Sequence, residues 1–395
     1  MMRRNLAGSR PFQIMTKPAG ARCNLDCHYC FYLQKESLYP HSPARMSNEV
    51  LDAYVRAYIE AHAAQPEVTF VWQGGEPTLM GVAFFQRAIA LQQRYRRSGQ
   101  HIFNALQTNG VLLDDAWGQF LAEQGFLVGV SLDGPAALHD VYRRDKGGRP
   151  TFARVTAGIE ILKRHHVLFN ILACVNDVTV RHPLTVYRFL RDDIGAEFIQ
   201  FIPIVERTPT PELVSPRSVS GEAYGAFLIA IFDEWVRRDV GRISVQIFEA
   251  ALGIWAGVGP GLCIFDETCG RGLAMEHNGD VYACDHFVNP AHLLGNIQTR
   301  SLIELVDSPE QIAFGQDKRI GLPAYCHRCP VRFACNGGCP KDRLLSTPDG
   351  EIGLNYLCAG YKAFFSHIDR AMRAMALLLH AGRNPSEIMR VLASV

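Results

Sequence analysis

The sequence has no excess of charge of either sign: 40 Lys and Arg stand against 39 Asp and Glu, a formal net charge of +1. The two signs are interspersed, which excludes an electrostatic footprint for nucleic acid or an anionic membrane and leaves partners to be recognised locally. No run of 18 apolar residues is present, so no membrane-spanning helix is expected. The start, MMRRNLAGSRPFQIM, has paired arginines but neither an apolar h-region nor a cleavage site, and the expectation is a cytoplasmic protein without an export signal. Low-complexity tracts and internal repeats are also missing. What remains is 395 residues, 48% hydrophobic and 20% charged, enough to bury a large core in two or three folding units.

Cysteine is plentiful, and its distribution is informative. Cys23, Cys27 and Cys30 stand near the front, Cys174 is alone, and Cys263, Cys269, Cys284, Cys326, Cys329, Cys335, Cys339 and Cys358 crowd the last third. In a reducing compartment such clusters point to metal ligation or catalysis rather than to a disulfide framework. Cys174 lies inside an apolar run and reads as a small buried hydrophobe.

Apolar β-rich runs at 11–15, 68–72, 102–107, 127–132, 168–175 and 198–204 alternate with helical patterns at 47–63, 82–97, 114–124, 152–166, 182–193 and 220–238. Strand followed by helix, six times over, implies an α/β fold of parallel strands with right-handed crossovers, either a complete or partial barrel or an open doubly wound sheet. Ligands then bind at the carboxyl edge of the strands. The polar punctuation collects there: the cysteine loop, QGGEP (73–77), TNG (108–110), SLDG (131–134), and Asn176 with Asp177. The Pro-, Ser- and Thr-rich stretch 205–222 reads as a loop or lid. A domain boundary falls near 240–262, where helical periodicity gives way to glycine-rich sequence.

The first cysteine loop, ARCNLDCHYCFY, supplies three thiolates as CxxxCxxC and no fourth. A structural metal site closes its shell with four protein ligands, whereas a site that does chemistry keeps one position for substrate. Three thiolates on one loop suit a 4Fe–4S cube with one iron left open. Zinc with His28 as fourth ligand is the alternative, strained because His28 adjoins Cys27.

Cys23, Cys27, Tyr29 and Cys30 resemble the CxxxCxYC signature of radical S-adenosylmethionine (SAM) enzymes, and Gly74 to Pro77 resembles their GGEP motif. The resemblance implies a partial (β/α)6 radical SAM barrel in which SAM chelates the open iron and backbone groups of GGEP hold its amino group. Reduction would then cleave SAM to a 5′-deoxyadenosyl radical. It further implies cofactor contacts from Tyr29, Gly75, Ser131, Arg143 and Ile204, with Arg154 competing for the place of Arg143. The eight late cysteines make two sets of four, which a pair of zinc ribbons would also satisfy. Their spacing is similar to the cysteine-rich SPASM extension, which binds two auxiliary clusters. By that resemblance Cys263, Cys269, Cys284 and Cys339 would hold the nearer cluster and Cys326, Cys329, Cys335 and Cys358 the farther, giving three 4Fe–4S clusters in all. The domains would be a barrel over 1–240, a linker over 241–262, SPASM over 263–358 and a helical segment over 359–395.

Clusters with full protein ligation cannot bind substrate, so their remaining use is electron transfer, and the reaction should be an oxidation. Asp285, directly after Cys284, is placed to act as base when a Cys or Ser side chain loses its SH or OH proton. CNLDCHYCFY, QGGEPTL, QTNG, SLDGP, CDHFV and the eight-cysteine pattern together resemble the anaerobic sulfatase-maturating enzymes, which convert a sulfatase Cys or Ser to formylglycine. Tyr32 and Gln73 would then lie near the cofactor or the incoming peptide. That resemblance implies an unfolded sulfatase chain as substrate, a flavodoxin- or ferredoxin-like electron donor, and oxygen sensitivity. A SPASM enzyme that crosslinks a different peptide and a zinc-stabilised binding protein without catalysis remain as alternatives, and whether the target is Cys, Ser or both stays open.

Overall fold

In the computed structural model, which describes residues 11–40, 42, 44–208 and 213–393, the six apolar runs form strands within two residues of expectation. They are β1 (Gln13–Thr16), β2 (Glu67–Trp72), β3 (His101–Thr108), β4 (Leu127–Ser131), β5 (Phe169–Val175) and β6 (Phe198–Pro203). The reading of residues 1–10 and part of the 205–222 loop lie outside the described residues. The helices are α1 (Asn48–Ala61), α2 (Val82–Tyr95), α3 (Asp115–Glu123), α4 (Ala136–Tyr142), α5 (Phe152–Arg164), α6 (Pro183–Arg188), α7 (Gly221–Arg238) and α8 (Gln246–Trp255). Helix α6 continues as a π-helical turn, Phe189–Asp193. Helices beyond the sequence reading include α4, only seven residues long, α8, which takes up 10 residues of the segment read as a linker, and Pro309–Ile320. Further strands are β7 (Ser244–Val245), β8 (Gly272–Met275), β9 (Asp280–Tyr282) and β10 (Leu293–Asn296), with a separate antiparallel pair formed by Leu345–Ser346 and Ile352–Leu354.

The chain divides into two compact units. The first takes in residues up to Val130, 144–168 and 270–316, and its strands run in the order β10-β9-β8-β1-β2-β3-β4. Strands β1 to β4 are parallel, with Thr16 opposite Trp72, Trp72 opposite Leu106 and Thr108 opposite Val130. Strand β8 adds in parallel to the free side of β1, Thr16 facing Met275, and β9 and β10 follow antiparallel. This β8–β10 extension brings residues 270–296 beside the loop that leaves β1. Helix α1 starts where Ser47 accepts the Val50 N–H at 3.2 Å. It buries Leu51, Tyr54, Val55, Tyr58 and Ile59 along one stripe. Tyr54 meets Phe70 edge-on at 5.6 Å and Trp72 at 5.9 Å, and Trp72 meets Phe85 at 5.7 Å. Each such ring contributes about 1.5–3 kcal/mol by leaving water. Trp72 still needs a polar partner for its indole N–H, and donates to Asn104 at 2.8 Å.

The second unit takes in residues 131–143, 169–269 and 317 onward. Here β5, β6 and β7 are parallel, with Ile171 opposite Ile199 and Ile199 opposite Val245. Helix α7, α8 and the helix Cys358–His380 share an aromatic core in which Phe232 meets Phe248 at 5.3 Å and Phe248 stacks on Phe364 at 5.8 Å. The helix Cys358–His380 falls where a packed helical segment was expected, with Phe364, Phe365, Ile368, Met372 and Met375 all buried. Its backbone touches α7: a Cβ on Gly360 would stand 2.0 Å from Gly221 O, and one on Gly225 would stand 2.6 Å from Gly360 Cα. No helix among the described residues is long and apolar enough to cross a membrane.

Candidate active site and cluster-binding cysteines

The three-cysteine loop leaves the carboxyl end of β1 and is tied on two sides within the first unit. On one side the GGEP turn pairs with it, Gly75 N–H donating to Gly20 O and Glu76 N–H to Arg22 O, both at 2.8 Å. Only glycine fits at 75, because a Cβ there would lie 1.9 Å from Arg22 O. Glu76 is completely buried and serves as an anchor. Its carboxylate accepts from Thr78 N–H at 3.0 Å, Thr78 Oγ1 at 2.6 Å, Thr108 Oγ1 at 2.7 Å and Asn109 N–H at 2.8 Å. Burial pushes this carboxyl above its ordinary value and the four donors pull it back. Asn109 in turn donates to Asn24 at 2.7 Å, so TNG, GGEP and the cysteine loop form one hydrogen-bonded assembly.

On the other side Asp26 N–H donates to Arg144 O at 2.8 Å and Leu25 pairs with Asp145. Asp145 is held down to about 2 by the Arg149 and Gly147 N–H groups and the Arg149 side chain. It also binds Arg154 at 2.9 Å, so the guanidinium that competed with Arg143 for the cofactor is engaged in bracing this loop.

Cys23 is pushed up to about 11, chiefly by burial and then by Glu76 and Cys30. A thiol this reluctant to ionise becomes a thiolate when a cation compensates it, which is what iron at the loop would do. Tyr29 is buried, whereas His28 is exposed, an orientation unsuited to sharing an ion with Cys27. None of the twelve cysteines is disulfide-bonded among the described residues. Nor, among them, do three His, Cys, Asp or Glu side chains meet closely enough to hold a single metal ion.

Asp285 sits in the short turn after Cys284, where Phe287 N–H donates to Cys284 O at 3.0 Å. Its partner is Lys17, the first residue after β1, whose ammonium pairs with Oδ1. Lys17 is 1% exposed and Asp285 14%. The ammonium also stands 4.4 Å from the centre of the Tyr32 ring, and the Tyr32 hydroxyl donates to the buried Glu276. Gln73, half-buried, is fixed by its N–H to Thr16 O at 2.8 Å. Sequence reasoning passed over Lys17 and Glu276. The signal was there for Lys17: a lone charge directly behind a buried strand, in IMTKP, is costly unless paired.

In the second unit Ser131 ends β4, Ile204 follows β6 with its N–H on Val175 O at 2.8 Å, and Arg143 is buried with Nε 3.0 Å from Asp133. Asp133 also accepts the Cys174 N–H at 2.9 Å, and Cys174 is a buried strand residue as read. Cys326, Cys329, Cys335 and Cys358 line a single pocket. Burial first, and then neighbouring cysteines, raise the thiols of Cys326, Cys335 and Cys358, Cys335 to about 12 and Cys358 to about 11. Cys339 lies next to Cys335 in the chain but feels Cys263 instead, and burial takes it to about 12. Cys263, Cys269 and Cys339 all act on one buried ammonium, Lys318, which donates to Cys263 O at 2.6 Å. Within this unit Cys326, Cys329, Cys335 and Cys358 share one pocket, and Cys263, Cys269 and Cys339 share the influence of Lys318. Cys284 belongs to the first unit.

Residues 18–190 match the radical SAM superfamily and residues 263–330 match an iron–sulfur cluster-binding domain, SPASM. A serine-type anaerobic sulfatase-maturating enzyme of Bacteroides thetaiotaomicron is 44% identical over 97% of this chain and 96% of its own length. A cysteine-type anaerobic sulfatase-maturating enzyme of Clostridium perfringens is 34% identical over 90% of this chain and 96% of its own. A solved structure described as native anSMEcpe with bound AdoMet and Cp18Cys peptide aligns with a TM-score of 0.84 at 34% identity, covering 93% of this chain and 99% of the other.

Proposed function

The chain belongs to the anaerobic sulfatase-maturating enzymes of the radical SAM superfamily, and from that premise we infer that it oxidises a Cys or Ser side chain of a sulfatase polypeptide to formylglycine. It is a radical SAM oxidoreductase with an iron–sulfur SPASM domain. The observation that carries the chemistry is the meeting, within one unit, of the three-cysteine loop, the GGEP turn seated on it and the Asp285 carboxylate.

On this reading Cys23, Cys27 and Cys30 hold one 4Fe–4S cluster. Cys263, Cys269, Cys284 and Cys339 hold a second, and Cys326, Cys329, Cys335 and Cys358 a third. The raised thiols of Cys23, Cys335, Cys339 and Cys358 suit such a group, since a bound metal would favour their thiolate form. When bound, the clusters and SAM supply an acceptor for one hydrogen atom from Cβ and an acceptor for the second electron. Gly75 positions SAM through the turn it permits, with Tyr29, Ser131, Arg143 and Ile204 as further contacts. Arg143 brings a guanidinium fixed by Asp133, suited to a carboxylate. Asp285 receives the side-chain proton. A flavodoxin- or ferredoxin-like protein provides the first electron.

The higher identity to the serine-type relative, 44% against 34% for the cysteine-type, favours serine as the target. The test is to purify the chain without air, count iron and sulfide, reduce it with SAM present, and weigh Ser- and Cys-containing sulfatase peptides afterwards. About twelve iron and twelve sulfide per chain, with aldehyde formed at least on the serine peptide, is the expected result. Colourless protein holding zinc, or a peptide unchanged in mass while SAM is cleaved, would sink the proposal.

A further inference from the structure

We propose that Lys17 is a positioning residue of the oxidation: it clamps Oδ1 of Asp285 and so presents Oδ2 to the substrate proton. The inference rests on Asp285 being the base. Three observations define the clamp. Lys17 is the first residue after β1, with its N–H fixed to Met275 O at 2.8 Å. Its stem runs under the GGEP turn, where the missing side chain of Gly74 leaves it room: a Cβ there would stand 3.0 Å from Lys17 Cδ. Its ammonium ends against the Tyr32 face and on Asp285. The nearby second carboxylate, Glu276, is taken by the Tyr32 hydroxyl, so Asp285 is the carboxylate left for the lysine.

A carboxylate in a short turn could rotate freely about its side-chain bonds, and one paired through a single oxygen to a buried ammonium cannot. The oxidation removes two hydrogens from the substrate side chain. One leaves Cβ as an atom to the SAM-derived acceptor. The other leaves oxygen or sulfur as a proton to Oδ2 while its electron passes to an iron–sulfur acceptor, and the C=O or C=S bond forms. Lys17 gains and loses nothing in this step. Its role is to keep Oδ2 aimed at the proton and to hold the base within the reach of the turn that carries the cofactor.

The test compares Lys17→Met, Lys17→Gln, Lys17→Arg and Asp285→Asn in anaerobically purified holoenzyme, with SAM, dithionite and a serine peptide deuterated at Cβ. The readouts are iron content, peptide KM, deuterium in 5′-deoxyadenosine, and formylglycine. Lys17→Met and Lys17→Gln should keep iron, KM and deuterium transfer while formylglycine falls about a hundredfold, so that deoxyadenosine per aldehyde rises by the same factor. Lys17→Arg should recover part of the loss. If Asp285→Asn is uncoupled in this way but both Lys17 variants keep the wild-type ratio, the clamp is wrong and the base stands. If Asp285→Asn itself keeps that ratio, the base reading fails and takes the clamp with it. If the neutral Lys17 variants lose iron or deuterium transfer, or if Lys17→Arg recovers nothing, Lys17 is structural and the proposal is overturned.

Discussion

The Thr108 hydroxyl donates to the Glu76 carboxylate at 2.7 Å, and through that bond the turn after β2 is anchored on the end of β3. Glu76→Ala would leave Thr78, Thr108 and Asn109 donors buried without an acceptor, a loss of about 3 kcal/mol. Glu76→Gln keeps one acceptor oxygen but turns an NH₂ toward a donor, and should cost about half as much. Urea unfolding of the purified variants reads both, and iron content should fall with stability because Asn109 links this anchor to the cysteine loop.

Gly75→Ala tests the seat of the cofactor turn. The new Cβ cannot occupy the position 1.9 Å from Arg22 O, so turn and loop must part. A displacement near 1 Å costs about a hundredfold in rate. Formation of 5′-deoxyadenosine should drop on that scale, and unimpaired SAM cleavage would contradict the geometry.

His139 gives the fold a pH dependence. It is fully buried, accepts the Asp133 N–H at 3.3 Å, and burial lowers it from 6.5 to about 4, with Asp133 opposing and Arg143 assisting. Because the folded value is the lower one, the unfolded chain takes up the proton first on acidification. Stability therefore declines between about pH 6.5 and pH 4, by at most about 1.4 kcal/mol per unit from this group. His139→Asn removes that contribution, so the stability gap between wild type and variant should narrow as pH falls from 7.5 to 5. A constant gap in urea midpoints would refute the assignment.

Cys335 and Cys339 are separated by only three residues in the chain and should report on different clusters. Serine at either position should lower iron by about four atoms, and the double variant by about eight. If one substitution already removes both clusters, or the double variant loses no more than a single one, the division is wrong. Lys318→Met, which removes the buried cation beside Cys263, should make the nearer auxiliary cluster harder to reduce, a negative shift in its midpoint followed by electron paramagnetic resonance.

Much of this was legible in the primary structure because the chemistry imposes fixed spacing. The six strands announced themselves through β-branched runs between turn residues, and the cysteines through intervals that few other uses require. The β8–β10 extension was not legible: GLAM and DVY are too short to signal strands, and β8 is made by pairing with β1. Helix α4 escaped for the same reason, being two turns long. Lys17 and Glu276 were missed because their partners lie more than 240 positions away, and no local pattern marks a buried charge as paired. Glu76 was seen as part of a cofactor motif, yet its four hydrogen bonds show a keystone under the motif as well.

The contact between Gly360, Gly221 and Gly225 constrains how this protein can be recombined. Cys358 opens the same helix two residues earlier, so inserting or deleting one residue between Cys358 and Gly360 would swing the thiol by about 100° around the helix axis. Chimeras with related chains should therefore inherit α7 and the helix Cys358–His380 from a single parent. A crossover between them would splice two unmatched backbones at a place where there is no side chain to trim.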